Sequence, residues 1–144
     1  MVMHLQEELY QSLYELADQG NIALDQGRYE EAIVLWQQAL DVLPAPVNQW
    51  QAAFWLYASM GEALYQLERY DEATAVLEQA AHNPEGKENP YPYYMLGKCA
   101  WRSGQDKAAK YLLKAYDLDG EGIFIADPVD GEACLAYLYD LGVL

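Results

Sequence analysis

The stretch LYELADQGNIALDQGRYEEAIVLWQQALDVLP, from Leu13 to Pro44, decides the fold, because its spacing recurs twice downstream. Small residues stand at Gly20 and Ala23 in its first half and at Ala32 and Ala39 in its second, where two helix backbones must approach closely. Gly27-Arg28-Tyr29 makes the turn between the halves. Pro44 closes the unit, since a proline lacks the donor a helix needs and biases its predecessor out of helical geometry. The unit is a helix–turn–helix.

The same marks return along the chain. The first copy carries Leu16, Gly20, Gly27, Tyr29, Ala32, Trp36, Ala39 and Pro44, and the second Tyr57, Met60, Gly61, Leu64, Tyr70, Ala73, Leu77 and Ala80. The third carries Tyr93, Leu96, Gly97, Ala100 and Gly104. Over about 34 residues this pattern resembles the tetratricopeptide repeat. The departures are local: Gln19 and Ala23 replace the usual Leu and aromatic, Glu68 stands where a turn Gly is usual, and Pro84 arrives one residue early. The last helix of the third copy fits with either Ala109 and Leu113 or Ala108 and Ala115, which implies a turn one residue shorter than the family's. The resemblance covers about residues 13–119 and implies an all-α fold. Its architecture is an α-solenoid of three repeats, at about 13–46, 54–87 and 90–119, with a C-terminal capping helix at about 128–141, all in one domain spanning 1–144.

Composition agrees. A chain of 144 residues with 53% hydrophobic residues, 13 Tyr and 4 Trp can bury a continuous core and is not disordered. Eight Lys and Arg against 23 acids leave a formal charge of −15. Such a balance argues against nucleic acid, whose phosphates are bound by clustered cations, and against an anionic membrane surface. It suits solubility, or steering of a basic partner. No basic region precedes an apolar run at the N-terminus, and no stretch approaches the length of a membrane span, so the expected location is cytoplasmic. Cys99 and Cys134 form no disulfide framework and read as small buried hydrophobes.

Taken in order, Leu5, Leu9, Leu13, Leu16, Gly20 and Ala23 recur at helical steps and predict one long helix from about 3 to 26. The second helix lies between Arg28 and Pro44. Asn48-Gln49-Trp50-Gln51 resembles a capping box opening a third helix from about 49 to 67. Further helices are expected at Asp71–Ala81, about 91–102 and about 106–118, with the turn-rich loop Asn83–Pro90 between the first two. Asp127-Pro128 has the form of an N-cap followed by proline at the first helical position. The helix it opens is apolar all round from Ala133 to Tyr139, which leaves two readings: a cap pressed between the third repeat and Ile123–Ala126, or an interface with a second copy, giving a homodimer, or with another protein.

In this family function lives mainly on the concave groove lined by the first helix of each repeat. The resemblance implies that the groove is faced by Tyr14, Ala17, Asp18, Asn21, Leu24 and Asp25, then by Trp55, Ala58, Ser59, Glu62, Tyr65 and Gln66, and last by Tyr91, Tyr94, Met95, Lys98, Trp101 and Arg102. The expected protein-binding site is therefore Tyr14, Asn21, Asp25, Trp55, Glu62, Tyr65, Tyr91, Tyr94, Lys98, Trp101 and Arg102, with acids at one end and two cations at the other. Charge along the chain follows the same polarity: residues 1–86 hold 2 basic and 14 acidic side chains, 87–118 hold 6 and 3, and 119–144 hold none and 6. Relatives that hold a chaperone tail clamp its carboxylate with two Lys, two Asn and one Arg. Here only Asn21 matches, the other clamp places being Ala17, Ser59, Tyr91 and Met95.

Enzymatic chemistry has little to rest on. His4 and His82 lie far apart and have no ligand spacing with the cysteines, and there is no phosphate loop or nucleophile motif, so no metal or cofactor is expected. Acidic pairs such as Glu30-Glu31 and Asp71-Glu72 open second helices, where carboxylates favour the helix dipole. The expected function is binding a peptide or helical segment of a partner protein, as scaffold or adaptor. The alternative is a dedicated escort, such as a secretion chaperone or a toxin-immunity-type protein.

Overall fold

The computed structural model describes residues 2–144, with side chains from Glu7 onward; the expected facing of Leu5 and the setting of His4 lie outside the described residues. Helices α1 (Val2–Asp25) and α2 (Tyr29–Val42), α3 (Gln51–Gln66) and α4 (Tyr70–His82), and α5 (Pro90–Arg102) and α6 (Lys107–Asp119) form three antiparallel pairs. Each pair packs on the next through its second helix, α2 on α3 and α4 on α5, so the chain builds an all-α solenoid. A single turn α7 (Gly122–Ile125) and a last helix α8 (Gly131–Asp140) close its C-terminal end.

Close contact inside each pair explains the glycines. A Cβ at Gly20 would lie 2.4 Å from the Trp36 indole, one at Gly61 2.5 Å from Leu77, and one at Gly97 2.6 Å from Leu112. Those three large side chains are fully buried, each seated on the glycine of the facing helix. The third pair thereby resolves its register: Ala108, Leu112 and Ala115 are buried in the places that Ala73, Leu77 and Ala80 occupy one repeat earlier. The shortening falls after Gly104, which stands four residues before Ala108, whereas Gly27 and Glu68 stand five before Ala32 and Ala73.

All three intra-pair turns use one backbone device. Gly27, Glu68 and Gly104 have φ of 74°, 59° and 67°. The amide after each donates to a carbonyl five residues back, Arg28 to Ala23, Arg69 to Leu64 and Gln105 to Ala100, which satisfies carbonyls that the helix end leaves open. At Glu68 a side chain sits in the left-handed region that favours glycine, at a cost of about 1–2 kcal/mol. Glu68→Gly should therefore stabilise the fold, by about 0.5–1 kcal/mol after glycine's greater unfolded freedom is offset, and raise Tm by about 3 °C. A thermal melt that leaves Tm unchanged or lowers it would remove this account of the turn.

Two sequence-level expectations are corrected. Asn48 caps nothing: its Nδ2 donates to the Gln79 carbonyl at 2.8 Å, and α3 starts after Trp50 with no side-chain cap. The fully buried Asn83 explains why, since its Nδ2 donates to the Asn48 carbonyl, Asn48 Oδ1 and the Trp50 carbonyl while its Oδ1 accepts from the Glu85 amide. Both asparagines are spent tying the loop after α2 to the end of α4. The last helix begins at Gly131 rather than 128, because Asp127 caps a turn instead: its Oδ1 accepts from the Val129 and Asp130 amides at 3.1 and 3.2 Å.

Candidate functional site

Two adjoining recesses mark the face of the first helices. One, of about 230 Å³, is lined by Leu24 of α1, Trp55, Ala58, Ser59 and Glu62 of α3, and Tyr91 of α5. The other, of about 290 Å³, is lined by Glu62, Tyr65 and Gln66, by Tyr91, Tyr94, Met95 and Lys98, and by Ile123, Ala126, Asp127 and Pro128 from the C-terminal segment. Glu62 and Tyr91 belong to both, and the Tyr91 hydroxyl donates to Glu62 Oε1 at 2.7 Å, bridging α3 and α5 at the floor. Burial and the neighbouring Glu62 carboxylate push the Tyr91 phenol well above its ordinary range, so it stays a donor.

Of the expected groove residues, Trp55, Glu62 and Tyr91 meet in the first recess and Glu62, Tyr65, Tyr91, Tyr94 and Lys98 in the second. Trp55 is 58% exposed although its ring packs edge-on against the buried Phe54 at 4.9 Å. Tyr14, Asn21 and Asp25 are exposed on α1, with Tyr14 stacked on Tyr10 at 6.1 Å. Trp101 is half-buried against the third repeat, and the Arg102 guanidinium lies over its ring at 5.1 Å.

The two cations expected at one end of the groove are both paired within the chain. Lys98 is 7% exposed, and its Nζ contacts Asp127 Oδ2 at 2.8 Å and Asp130 Oδ2 at 3.3 Å, 4.6 Å from the centroid of the Tyr65 ring. Arg102 Nη2 donates to Asp130 Oδ1 at 2.6 Å, and its Nε to the Tyr65 hydroxyl at 3.1 Å. The Tyr65 and Tyr94 hydroxyls, both on buried residues, donate to Asp130 and Asp127 at 3.0 and 2.7 Å. Lys98, Tyr65 and Tyr94 are thus held by the chain's own turn, and Arg102 is paired with that turn while its side chain stays 41% exposed.

Titration behaviour follows from that packing. Burial opposes charge on Asp127, but hydrogen bonds from Lys98, Tyr94 and the Asp130 amide outweigh it and lower its carboxyl to about 2. Asp130 is lowered as well: burial again opposes its charge and Arg102, Tyr65 and Lys98 overcome it. Lys98 is raised although its burial alone would lower it, because Asp127 and Asp130 favour the cation.

The pairing of Asp127, expected only as an N-cap, and of Asp130 with the cations of α5 was not foreseen from the sequence. The signal was present, since residues 119–144 carry six acids and no base directly after the one basic segment of the chain. Only the fold, however, brings a turn over α5. Cys99 and Cys134 are buried, and burial pushes their thiols up to about 11 and about 12. Among the described residues no group of three or more His, Cys, Asp or Glu could hold a metal ion, and no helix is long and apolar enough to cross a membrane.

The comparisons with known proteins come down on the helical pairs. Two tetratricopeptide repeat family profiles match, at residues 8–85 and 59–123. No curated protein matches the sequence. Among solved structures, the C-terminal TPR-containing domain of a Plasmodium falciparum protein superposes with TM-score 0.73 at 20% identity, covering 96% of this chain and 95% of that one. The first TPR domain of Spaghetti (RPAP3), bound to the HSP90 peptide SRMEEVD, gives 0.69 at 17%, covering 93% and 95%. The Yersinia enterocolitica type III secretion translocator chaperone SycD gives 0.65 at 17%, covering 90% and 88%. These likenesses concern the fold, whereas the first profile spans more than half of the sequence. The chain belongs to the tetratricopeptide repeat family.

Proposed function

We propose that this protein is an interaction module that holds a peptide or helical segment of a partner protein along the face of α1, α3 and α5, as a scaffold or adaptor. The family is in general a non-catalytic protein-interaction fold, which supports the class of work. One observation carries the site: Trp55 is exposed beside an apolar-walled recess, where a large aromatic ring supplies the kind of anchor that dominates interface energetics. The recess continues through Glu62 and Tyr91 into the second one, which gives a partner segment a path across the repeats. The tail-binding use of the fold is set aside for this chain, because Ala17, Ser59, Tyr91 and Met95 stand where a carboxylate clamp has its donors.

Trp55→Ala tests the proposal. Its side chain leaves little of the core when truncated, so the melt should stay close to that of the parent while affinity for a partner recovered from the native cell falls by about 2 kcal/mol, roughly thirtyfold. Titration calorimetry reads the loss. Val34→Ala, at an exposed apolar position on the second helix α2, is the matched control and should bind normally. The reverse pattern, with Val34→Ala defective and Trp55→Ala normal, would move the site to the other face.

A further inference from the structure

We infer that the segment this groove accepts is cationic, with lysines or arginines flanking one apolar residue that enters the recess at Trp55. The inference rests on the groove reading above and specifies the chemistry of its occupant.

Charge complementarity carries it. On α1, α3 and α5, the helices that form this face, the only Lys and Arg residues are Lys98 and Arg102. Both are already paired with Asp127 and Asp130, two carboxylates for two cations. Among the described residues, the acids of the same helices have no such compensation within the face. Glu62 stands at the junction of the two recesses, bound only by a neutral phenol, and Asp18 and Asp25 are exposed on the turns of α1 on either side of Leu24 and Asn21. The C-terminal turn thus neutralises the end that reads in sequence as basic and leaves the uncompensated charge of this face, on Asp18, Asp25 and Glu62, negative.

An acidic segment entering here would bring carboxylates against Glu62 and Asp25 with no unpaired cation on these helices to receive them, and like charges brought together at an interface are strongly disfavoured. A cationic segment meets those acids and also the exposed faces of Trp55 and Tyr14, whose π systems attract ammonium and guanidinium groups. The net charge of −15 draws the same ligand in from a distance.

The test is fluorescence anisotropy with two labelled peptides, one of alternating lysine and alanine around a central leucine, the other with every lysine replaced by glutamate. The lysine peptide should bind at least about tenfold more tightly. Asp25→Asn combined with Glu62→Gln should weaken it about tenfold, while Glu85→Gln combined with Asp140→Asn, an equal change of charge away from the groove, should leave it within about twofold. Equal weakening by both pairs would reduce the attraction to net charge alone and overturn the inference, as would tighter binding of the glutamate peptide. Trp55→Ala separates this from the groove reading: if it weakens the glutamate peptide, the groove stands and the cationic occupant falls, and if it affects neither peptide, the groove itself falls. Sedimentation of the protein alone supplies the last arm. A dimer that dissociates on Lys110→Glu with Lys114→Glu, two lysines one turn apart on α6, would make a second copy the occupant and overturn the inference in favour of self-assembly.

Discussion

Asp127→Ala is expected to destabilise the protein by about 3 kcal/mol or more at neutral pH, a loss of roughly 6–10 °C in Tm. The substitution takes from Lys98 its shortest ion pair, at 2.8 Å, in a place where the ammonium is nearly removed from water. It also leaves the Tyr94 hydroxyl and the amides of Val129 and Asp130 without their acceptor. Removing one partner of a buried pair costs more than the pair contributed, because the remaining charge stays desolvated and uncompensated. The cost should appear first as loosening of α7 and α8, visible as faster amide exchange there, since this turn is what the pair holds down.

Acid titration distinguishes the charge from the volume of that side chain. The folded carboxyl lies at about 2, below the value near 3.9 of an unfolded aspartate, so its contribution is complete above about pH 5 and is lost as pH falls toward 2. Urea unfolding at intervals from pH 7 to 2 should therefore show the deficit of Asp127→Ala at full size near neutrality and shrinking below pH 4. A deficit that stays constant down to pH 2 would show that packing, not charge, is what the aspartate supplies.

The second large effect is expected at Gly131. A Cβ there would lie 1.7 Å from the Phe124 carbonyl oxygen and 2.7 Å from its carbon, so a single methyl group collides with backbone rather than with a side chain that could turn away. Gly131→Ala must push α8 off α7, and with it disturb Phe124, Cys134 and Leu138, all buried, and the edge-on contact of Phe124 with Tyr94 at 5.1 Å. A cost of about 3 kcal/mol, the upper end of ordinary overpacking, is expected in denaturant unfolding, with loss of near-ultraviolet dichroism from the aromatic cluster. Gly122→Ala provides the contrast: its Cβ would meet only the carboxylate of the exposed Asp119, at 2.9 Å, and should change stability by less than about 0.5 kcal/mol. If the two alanine variants melt alike, the close seating of α8 on α7 is not what stabilises this end.

The repeat architecture was legible in the sequence because it depends on short-range marks. Gly20, Gly61 and Gly97 announce the close contact, Trp36, Leu77 and Leu112 fill it, and positive-φ positions at Gly27, Glu68 and Gly104 turn the chain, all within one helical pair. The exposed Trp55 follows from the same periodicity, since the stripe of α3 opposite Ala53, Met60 and Ala63 has to face away from the core. Asn48 shows where such reasoning stops: local spacing proposed a cap, and a buried asparagine 35 residues away claimed it for another purpose.

What the sequence by itself determined, then, is the solenoid and the register of its first two pairs, because helix period and turn chemistry act over a few residues. Only the tertiary structure decided which side chains of α1, α3 and α5 are exposed and which are covered. Tyr65, Tyr94, Lys98 and Arg102 have the spacing of a binding surface, yet the turn at Asp127–Asp130 comes back over them from 28 or more residues along the chain. Residues so far apart in sequence leave no periodic trace of their meeting, and ion pairing in a desolvated site depends on distances of a few ångströms that only the packed fold sets.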